Sequence, residues 1–153
     1  MCITVNIEDP KTPDVRDLLG AGIDFMQSLY PGKRKDGLSA APPDVSDSPL
    51  FVARSREAAL GCCALVLHRG FAEIKRMYVV PSARGRGIAS HLLQALESVA
   101  KEEGNLLLKL ETGTRLTDAH RLYARHGFVR CGVFGGHSAL PESLFMEKHL
   151  TQA

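Results

Sequence analysis

The sequence has little net charge, no long apolar run and no cysteine motif, and each absence excludes a class of protein. Its 153 residues carry 19 basic and 17 acidic side chains, a formal net charge of +2, which is too small to indicate nucleic-acid binding by bulk electrostatics. No apolar stretch reaches the length that a membrane-spanning helix needs, about 18 residues. The four cysteines form no C-x-x-C pair, which argues against a zinc site and a disulfide framework.

Further absences indicate where the protein is located and how many domains it has. The segment Met1–Val5 has neither a basic region nor a long apolar core, so we expect no secretory signal. Reduced thiols are then the default, which favours the cytoplasm. No internal repeat or low-complexity segment is visible, and this length suits one domain with an ordinary core. We therefore expect a single cytoplasmic domain over residues 1–153 without a nucleic-acid, membrane or metal partner, and a homodimer is left open.

Hydrophobic periodicity along the chain predicts alternating strands and helices. Three strands with short turns between residues 50 and 80 should form an antiparallel meander. The apolar start of the strand 105–112 is typical of a buried parallel strand. The predicted strands are 2–7, 50–55, 59–68, 71–80, 105–112, 128–134 and 143–149, and the predicted helices are one capped by Asp14, one over 88–103, one capped by Thr114 or Thr117 and a short one near Leu38–Ala41. This order predicts an α/β fold, a mixed sheet of about seven strands with helices on both faces.

The stretch 71–93 organises the rest of the chain. It begins as a strand that Pro81 must end, and from Ile88 its apolar residues recur at helical spacing. Between them, Gly85 and Gly87 allow a turn whose backbone can approach a ligand. A helix entered through such a turn offers N–H groups to an anion. The motifs G-x-G-x-x-G and G-x-x-x-x-G-K-[ST] are absent, which excludes a dinucleotide fingerprint and a P-loop.

Two motifs carry a family resemblance. The turn fits [QR]-x-x-G-x-[GA] with Arg84, Gly87 and Ala89, and the segment 119–128 fits A-x-x-L-Y-x-x-x-G-F. Together with the order of strands and helices, these motifs resemble the GNAT superfamily of acyl-CoA-dependent N-acyltransferases. The resemblance is specific over residues 71–149 and rests mainly on layout elsewhere. It implies the GNAT-like fold, acetyl-CoA as co-substrate and an amine as acceptor.

The resemblance also implies where acetyl-CoA binds. The N–H groups of the turn would hold the pyrophosphate, with arginines near the phosphates, and the end of the preceding strand would pair with the pantetheine arm and polarise the thioester carbonyl. The alternative is a plain turn beside ordinary sheet pairing. Leu116 stands where many relatives have an asparagine that contacts pantetheine, so this contact is lost here or made by Thr114 or Thr117. The implied cofactor-binding residues are Met77, Tyr78, Val79, Arg84, Gly85, Arg86, Gly87, Ile88 and Ala89.

Three side chains are candidates for the chemistry. An alkylammonium acceptor, with a pKa of about 10.4, needs a base. Glu73 stands eleven residues before Arg84, where histone-acetylating relatives have their base, and Glu111 near the end of the next strand is the rival; a cross-strand ion pair is the structural alternative for Glu73. By resemblance, Tyr123 would donate a proton to the departing CoA thiolate, unless it is only a core aromatic. His137, in the last loop, is expected to be a plain loop residue, and contact with the acceptor is the alternative.

The sequence thus favours an acetyl-CoA-dependent N-acetyltransferase that acts on a primary amine of a small molecule by direct attack in a ternary complex. Acetylation of a protein or peptide amine is the alternative within the same enzyme class. A non-catalytic acyl-CoA-binding regulatory module is the alternative outside it. Residues 26–49 and 134–142 are expected to form the walls of the acceptor site, and neither the acceptor nor a strict preference for acetyl can be inferred.

Overall fold

Residues 2–31, 47–135, 137 and 140–151 are described by the computed structural model, and within them the predicted order of elements is confirmed. These residues form seven strands, three α-helices and one 3-10 turn. The elements are β1 (Thr4–Ile7), α1 (Pro13–Leu29), β2 (Leu50–Ser55), β3 (Ala58–Leu67), β4 (Ala72–Val79), the 3-10 turn (Pro81–Ala83), α2 (Ile88–Glu102), β5 (Leu107–Gly113), α3 (Thr117–Arg125), β6 (Val129–Cys131) and β7 (Ser143–His149).

The strands form one mixed sheet in the order β1-β2-β3-β4-β5-β7-β6. β4 and β5 pair in parallel, and the other neighbouring pairs are antiparallel. The parallel pair needs a crossover, which α2 supplies between the two strands. β2, β3 and β4 form the predicted meander. The predicted fold class is therefore confirmed.

Helices cover both faces of the sheet, as predicted. The apolar stripe of α1 packs on one face, and α2 packs on the other together with Tyr123 of α3. Burying one such leucine side chain contributes about 1.5–3 kcal/mol relative to leaving it exposed, so these stripes fix which side of each helix meets the sheet. The α1 face buries Val15, Leu18, Leu19, Leu50, Val52, Cys62 and Ala64, and the α2 face buries, among others, Ile74, Ile88, Leu92, Leu93, Leu96, Leu108 and Leu110.

Helix ends differ in detail from the prediction. Asp14 lies in the first turn of α1 instead of capping it, and its carboxylate pairs with Arg54 at 2.8 Å. Leu116 is the N-cap of α3, with no side-chain cap hydrogen bond, so neither Thr114 nor Thr117 has the predicted role. The short helix expected near Leu38–Ala41 lies outside the described residues.

β6 is shorter than predicted and ends at Cys131. Phe134 lies beyond the end of β6. Its ring packs edge-on against Phe71 and Phe145, and the ring centres are 5.5 Å apart in each pair. Burial of this ring turns the loop after β6 back over the sheet. His137, the next described residue after Gly135, lies beside β4 and β5.

β4 and β5 pair only near their beginnings. The parallel register joins Ala72, Glu73 and Ile74 to residues 108–110. Beyond Ile74, β4 stays paired with β3 and β5 stays paired with β7. A gap therefore opens between the second halves of the two parallel strands, and this gap positions the candidate active site.

Candidate active site

A β-bulge lies in β4 at the mouth of this gap. Between the pairs Cys62↔Tyr78 and Ala64↔Lys75, β4 has one residue more than β3. Arg76 adopts a φ of 61°, a left-handed conformation that is costly for a residue with a side chain. Such a bulge changes the direction of the backbone and of the side chains that follow it in the strand. This bulge could not be predicted from the sequence, because no glycine marks the position.

A groove of about 630 Å³ runs from the bulge along the turn before α2. Eight of the nine predicted cofactor-binding residues line it; the exception, Arg86, is exposed on the same turn without lining the groove. The opposite wall comes from α1, α3 and the residues just before α3, where the sequence had drawn attention to Leu116 and Thr117 only. That wall includes Gly22, Phe25, Met26, Leu29, Arg115, Leu116, Thr117, Asp118, Ala119, Arg121, Leu122 and Arg125.

The turn has the conformation that its glycines suggested. Gly85 and Gly87 have φ values of 79° and 81°, and Gly87 is the N-cap of α2. Arg84 donates a hydrogen bond from Nε to the carbonyl oxygen of Val79 at 2.9 Å, and its guanidinium lies 4.9 Å from the ring centre of Phe25. This arginine thus ties the turn to the end of β4, while the first N–H groups of α2 and the dipole of the helix favour an anion.

A smaller cavity, of about 130 Å³, lies in the gap and adjoins the groove. The two share lining residues from α1, β4 and the start of α3, so they lie side by side. The shared residues are Gly22, Met26, Met77, Tyr78, Leu116 and Ala119. All three predicted catalytic residues, Glu73, Glu111 and Tyr123, line the cavity together with His137.

His137 lies between the two glutamates, so the expectation of a plain loop residue is wrong. Its Nε2 is 2.6 Å from Oε2 of Glu73, and its Nδ1 is 3.3 Å from Oε1 of Glu111. The second oxygen of Glu73, Oε1, is 2.9 Å from Nε2 of His68. Oε2 of Glu111 accepts a hydrogen bond from the hydroxyl of Ser143 at 2.5 Å. Glu73 thus contacts two histidines, and the charge of Lys75 also acts on it.

Aromatic rings enclose His137. Its ring centre is 5.1 Å from that of Phe134 and 6.0 Å from that of Phe145. Only 10% of the His137 side chain is exposed, and only 4% of the side chain of each glutamate is exposed. The Gly135-Gly136 pair predicted the loop but not its direction, which the packing of Phe134 determines.

The pKa values of the cluster follow from burial and these contacts. Burial would raise the pKa of Glu73, but the hydrogen bond from His137, the charge of Lys75 and the contact with His68 outweigh it, and the pKa lies below its ordinary value. Contacts with Glu111 and Glu73 raise the pKa of His137 to about 9, against the effect of burial. At neutral pH, Glu73 is therefore an anion and His137 is a cation.

Tyr123 is both a core aromatic and part of the cavity wall. Its ring is buried and packs edge-on against Phe128 at 5.5 Å, as a core aromatic does. It also lines the cavity. Burial raises the pKa of its phenol further above the ordinary value of 10.0, so the hydroxyl stays protonated at neutral pH. Tyr123 can thus donate a hydrogen bond into the cavity.

Other functional features were tested on the described part of the chain. There, no group of three or more histidine, cysteine, aspartate or glutamate side chains is arranged to hold a metal ion. All four cysteines are free thiols, and burial raises the pKa of Cys62 in the cavity wall to about 12. Over the same residues, every helix is too short or too polar to cross a membrane.

Comparison with known proteins assigns the family. The family model of the acetyltransferase (GNAT) domain matches residues 46–130. An IAA acetyltransferase from Azospirillum brasilense is 35% identical over 153 residues, which cover 97% of this chain and 98% of that protein. A crystal structure from Klebsiella pneumoniae, assigned as an acyl-CoA N-acyltransferase, has a TM-score of 0.80 at 34% identity and covers 97% of this chain and 98% of its own. A GNAT acetyltransferase from Elizabethkingia anophelis with acetyl-CoA bound shares the fold, with a TM-score of 0.72 at 20% identity, and covers 97% of this chain and 98% of its own. The chain belongs to the GNAT family and is an N-acetyltransferase.

Proposed function

We propose that this enzyme transfers an acetyl group from acetyl-CoA to a primary amine of a small molecule, by direct attack in a ternary complex. One observation carries the proposal: the groove and the carboxylate-lined cavity meet beside the bulge of β4. A thioester at the inner end of the groove and an amine in the cavity would face each other there. Holding the two reactants in contact lowers the entropic barrier to their reaction. Because the chain is an N-acetyltransferase, the non-catalytic alternative is set aside.

The groove fits acetyl-CoA through its two ends. At the outer end, the turn Arg84–Ala89 offers the N terminus of α2 to the pyrophosphate. At the inner end, Met77–Val79 would pair with the pantetheine arm, and an N–H of this segment would stabilise negative charge on the thioester oxygen. Leu116 lines both spaces with an apolar side chain. It therefore would contact the pantetheine arm by packing, without the hydrogen bond that an asparagine makes.

The cavity suits the head group of a small amine. The cavity has a volume of about 130 Å³, against about 630 Å³ for the groove, so it is the smaller of the two spaces. Oε1 of Glu111 is buried and forms no hydrogen bond with the described residues, although Nδ1 of His137 lies 3.3 Å away, and a buried carboxylate oxygen ordinarily has a hydrogen-bond partner. We assign this atom as the docking point for the acceptor ammonium.

Glu73 is our candidate for the base that removes the proton from the ammonium. Each carboxylate oxygen has two lone pairs, so Oε2 can accept from the substrate while it contacts His137. Glu111 is the alternative base, since it faces the same space. Tyr123 would donate a hydrogen bond to the departing thiolate. Its phenol is a weaker acid than a thiol, so stabilisation of the thiolate by this hydrogen bond is expected to matter more than complete proton transfer.

A panel of acceptors tests the proposal. Wild-type enzyme with acetyl-CoA would be offered small primary amines, peptides with free α-amines and lysine-containing peptides, and the release of CoA thiol would be measured. We expect turnover with a small amine and initial-velocity patterns that intersect, as a ternary complex requires. Turnover with peptides alone would favour the protein-acetylating alternative, and parallel patterns with an isolable acetyl-enzyme would contradict direct attack.

A further inference from the structure

Four side chains form a continuous chain of polar contacts from the cavity to the protein surface. Glu111 contacts His137 at 3.3 Å, His137 contacts Glu73 at 2.6 Å, and Glu73 contacts His68 at 2.9 Å. The first three side chains are at most 10% exposed and line the cavity, whereas His68 is 35% exposed and does not line it. The two oxygens of Glu73 contact different histidines, one in the cavity and one at the surface.

The reaction creates a need for such a path. An ammonium acceptor and a thioester give an amide, a thiol and one proton, so each turnover must deliver one proton to solvent. The carboxylate that takes this proton is buried, since Glu73 is 3% exposed. It must lose the proton again before the next acceptor is deprotonated.

We propose that His68 is the exit for this proton, which passes from Glu73 to His68 and then to water. In this step the O–H bond of protonated Glu73 breaks as Nε2 of His68 gains the proton, and Nδ1–H of the same ring then loses a proton to solvent. Glu73 returns to the carboxylate, and the neutral ring of His68 is left with its proton on Nε2. Because the side chain is 35% exposed, exchange of its ring protons with water can restore the Nδ1–H form before the next turnover.

The surroundings of His68 hold its ring in the position that this transfer requires. Its backbone N–H donates to the carbonyl oxygen of Phe71 at 2.9 Å, and its ring stacks on the ring of Phe71 at 4.6 Å with 17° between the planes. Two other histidines make different contacts: His120 contacts the carbonyl oxygen of Gly113, and His126 contacts the hydroxyl of Ser90. Neither of those contacts reaches a carboxylate of the cavity. The lowered pKa of Glu73 also fits a relay, because such a carboxylate does not retain a proton at neutral pH.

The inference rests on the proposed function, because a proton must be released only if an ammonium is deprotonated in this cavity. The experiment compares wild type with His68→Ala and His68→Gln, using an amine that wild type acetylates. The rate of thiol release is measured in weakly buffered solution and then with increasing imidazole. His149→Ala is the matched control, since this histidine is 75% exposed and lies 3.8 Å from Glu147, which does not line the cavity.

We expect kcat in weak buffer to fall on the order of tenfold or more in both His68 variants, as for loss of a proton-transfer group. Imidazole should restore it, because a dissolved base can take the proton from Glu73 where the side chain is missing. The acetyl-CoA affinity and the melting temperature should change little, and wild type and His149→Ala should not respond to imidazole. Glutamine can keep a hydrogen bond to Glu73 but cannot relay a proton. His68→Gln therefore distinguishes a role in proton transfer from a role in holding Glu73 in place.

An unchanged kcat in weak buffer would overturn the inference. A loss that imidazole does not restore, or a loss that His68→Gln repairs, would instead give His68 a structural role. Failure of wild type to acetylate any amine would contradict the proposed function itself. The two failures are therefore distinguishable.

Discussion

Tyr30 packs its phenol ring against Gly113 so closely that no side chain fits between them. A Cβ on Gly113 would lie 2.6 and 2.7 Å from two carbons of the ring. The hydroxyl of Tyr30 also accepts a hydrogen bond from the backbone N–H of Arg115 at 2.8 Å. This contact joins the end of α1 to the loop between β5 and α3, and so links the two elements that flank the groove.

Gly113→Ala should destabilise the fold, because the tyrosine or the strand must move. The loss in the free energy of unfolding is expected to be about 1–3 kcal/mol, as for overpacked cores. Gly20→Ala in α1 is the matched control, since a Cβ there meets nothing within 4 Å and alanine favours a helix by up to about 1 kcal/mol. Urea denaturation should show opposite signs for the two variants. Equal stability of Gly113→Ala and wild type would contradict the packing described here.

Gly87→Val should weaken acetyl-CoA binding. The φ of 81° at this residue costs a β-branched residue about 1–3 kcal/mol of backbone strain. The turn should therefore shift, and its N–H groups should no longer point towards the pyrophosphate. A rise in Kd on the order of tenfold is expected by titration calorimetry. Gly104→Val, with a φ of 80° and open space at the other end of α2, has the same strain and should leave Kd unchanged. If both variants bind acetyl-CoA as wild type does, the turn is not the pyrophosphate site.

Tyr123→Phe should lower kcat while preserving the fold. The ring would still pack against Phe128, but the donor to the departing thiolate would be gone. We expect a loss of about tenfold or more where chemistry limits the rate, with unchanged acetyl-CoA affinity. Measured rates that match wild type would leave Tyr123 as a core aromatic.

Glu73→Gln and Glu111→Gln together should identify the base. The lowered pKa of Glu73 keeps it ionised at neutral pH, so the loss caused by Glu73→Gln should be large there, on the order of 10²-fold. Near pH 10 the loss should shrink, because the acceptor amine is then partly neutral without help. kcat/KM would be followed against pH for both variants. If Glu111→Gln has the larger effect at neutral pH, the roles are reversed, and if neither matters, the proton leaves through water.

His137 should make stability fall as the solution becomes alkaline. Its pKa in the folded state, about 9, is above the ordinary 6.5. Its contribution to the free energy of unfolding is therefore complete below pH 6.5 and is lost as the pH rises through 9. The shift corresponds to at most about 3 kcal/mol. His137→Asn should remove this dependence from urea denaturation curves. His149→Asn, an exposed control, should keep it; a wild-type curve that is flat in this range would contradict the His137 contacts.

The sequence by itself determined the elements and the turn before α2. Apolar spacing fixes which segments are strands or helices, because each must bury one face. Gly85 and Gly87 allow the positive φ values that this turn adopts. The proximity of Glu73 and Glu111 could be predicted from the sequence, because the two residues lie on neighbouring parallel strands. These are local constraints, or follow from strand order alone.

The tertiary structure alone decided the contacts across long stretches of chain. His137 meets Glu73 from 64 residues away, since burial of Phe134 against Phe71 and Phe145 turns the loop towards β4. Arg84 reaches the ring of Phe25 only because α1 packs beside β4. The bulge at Arg76 depends on how β3 and β4 pair, not on any residue that favours it. Such features arise from packing between distant segments, which leaves no periodic signal in the sequence.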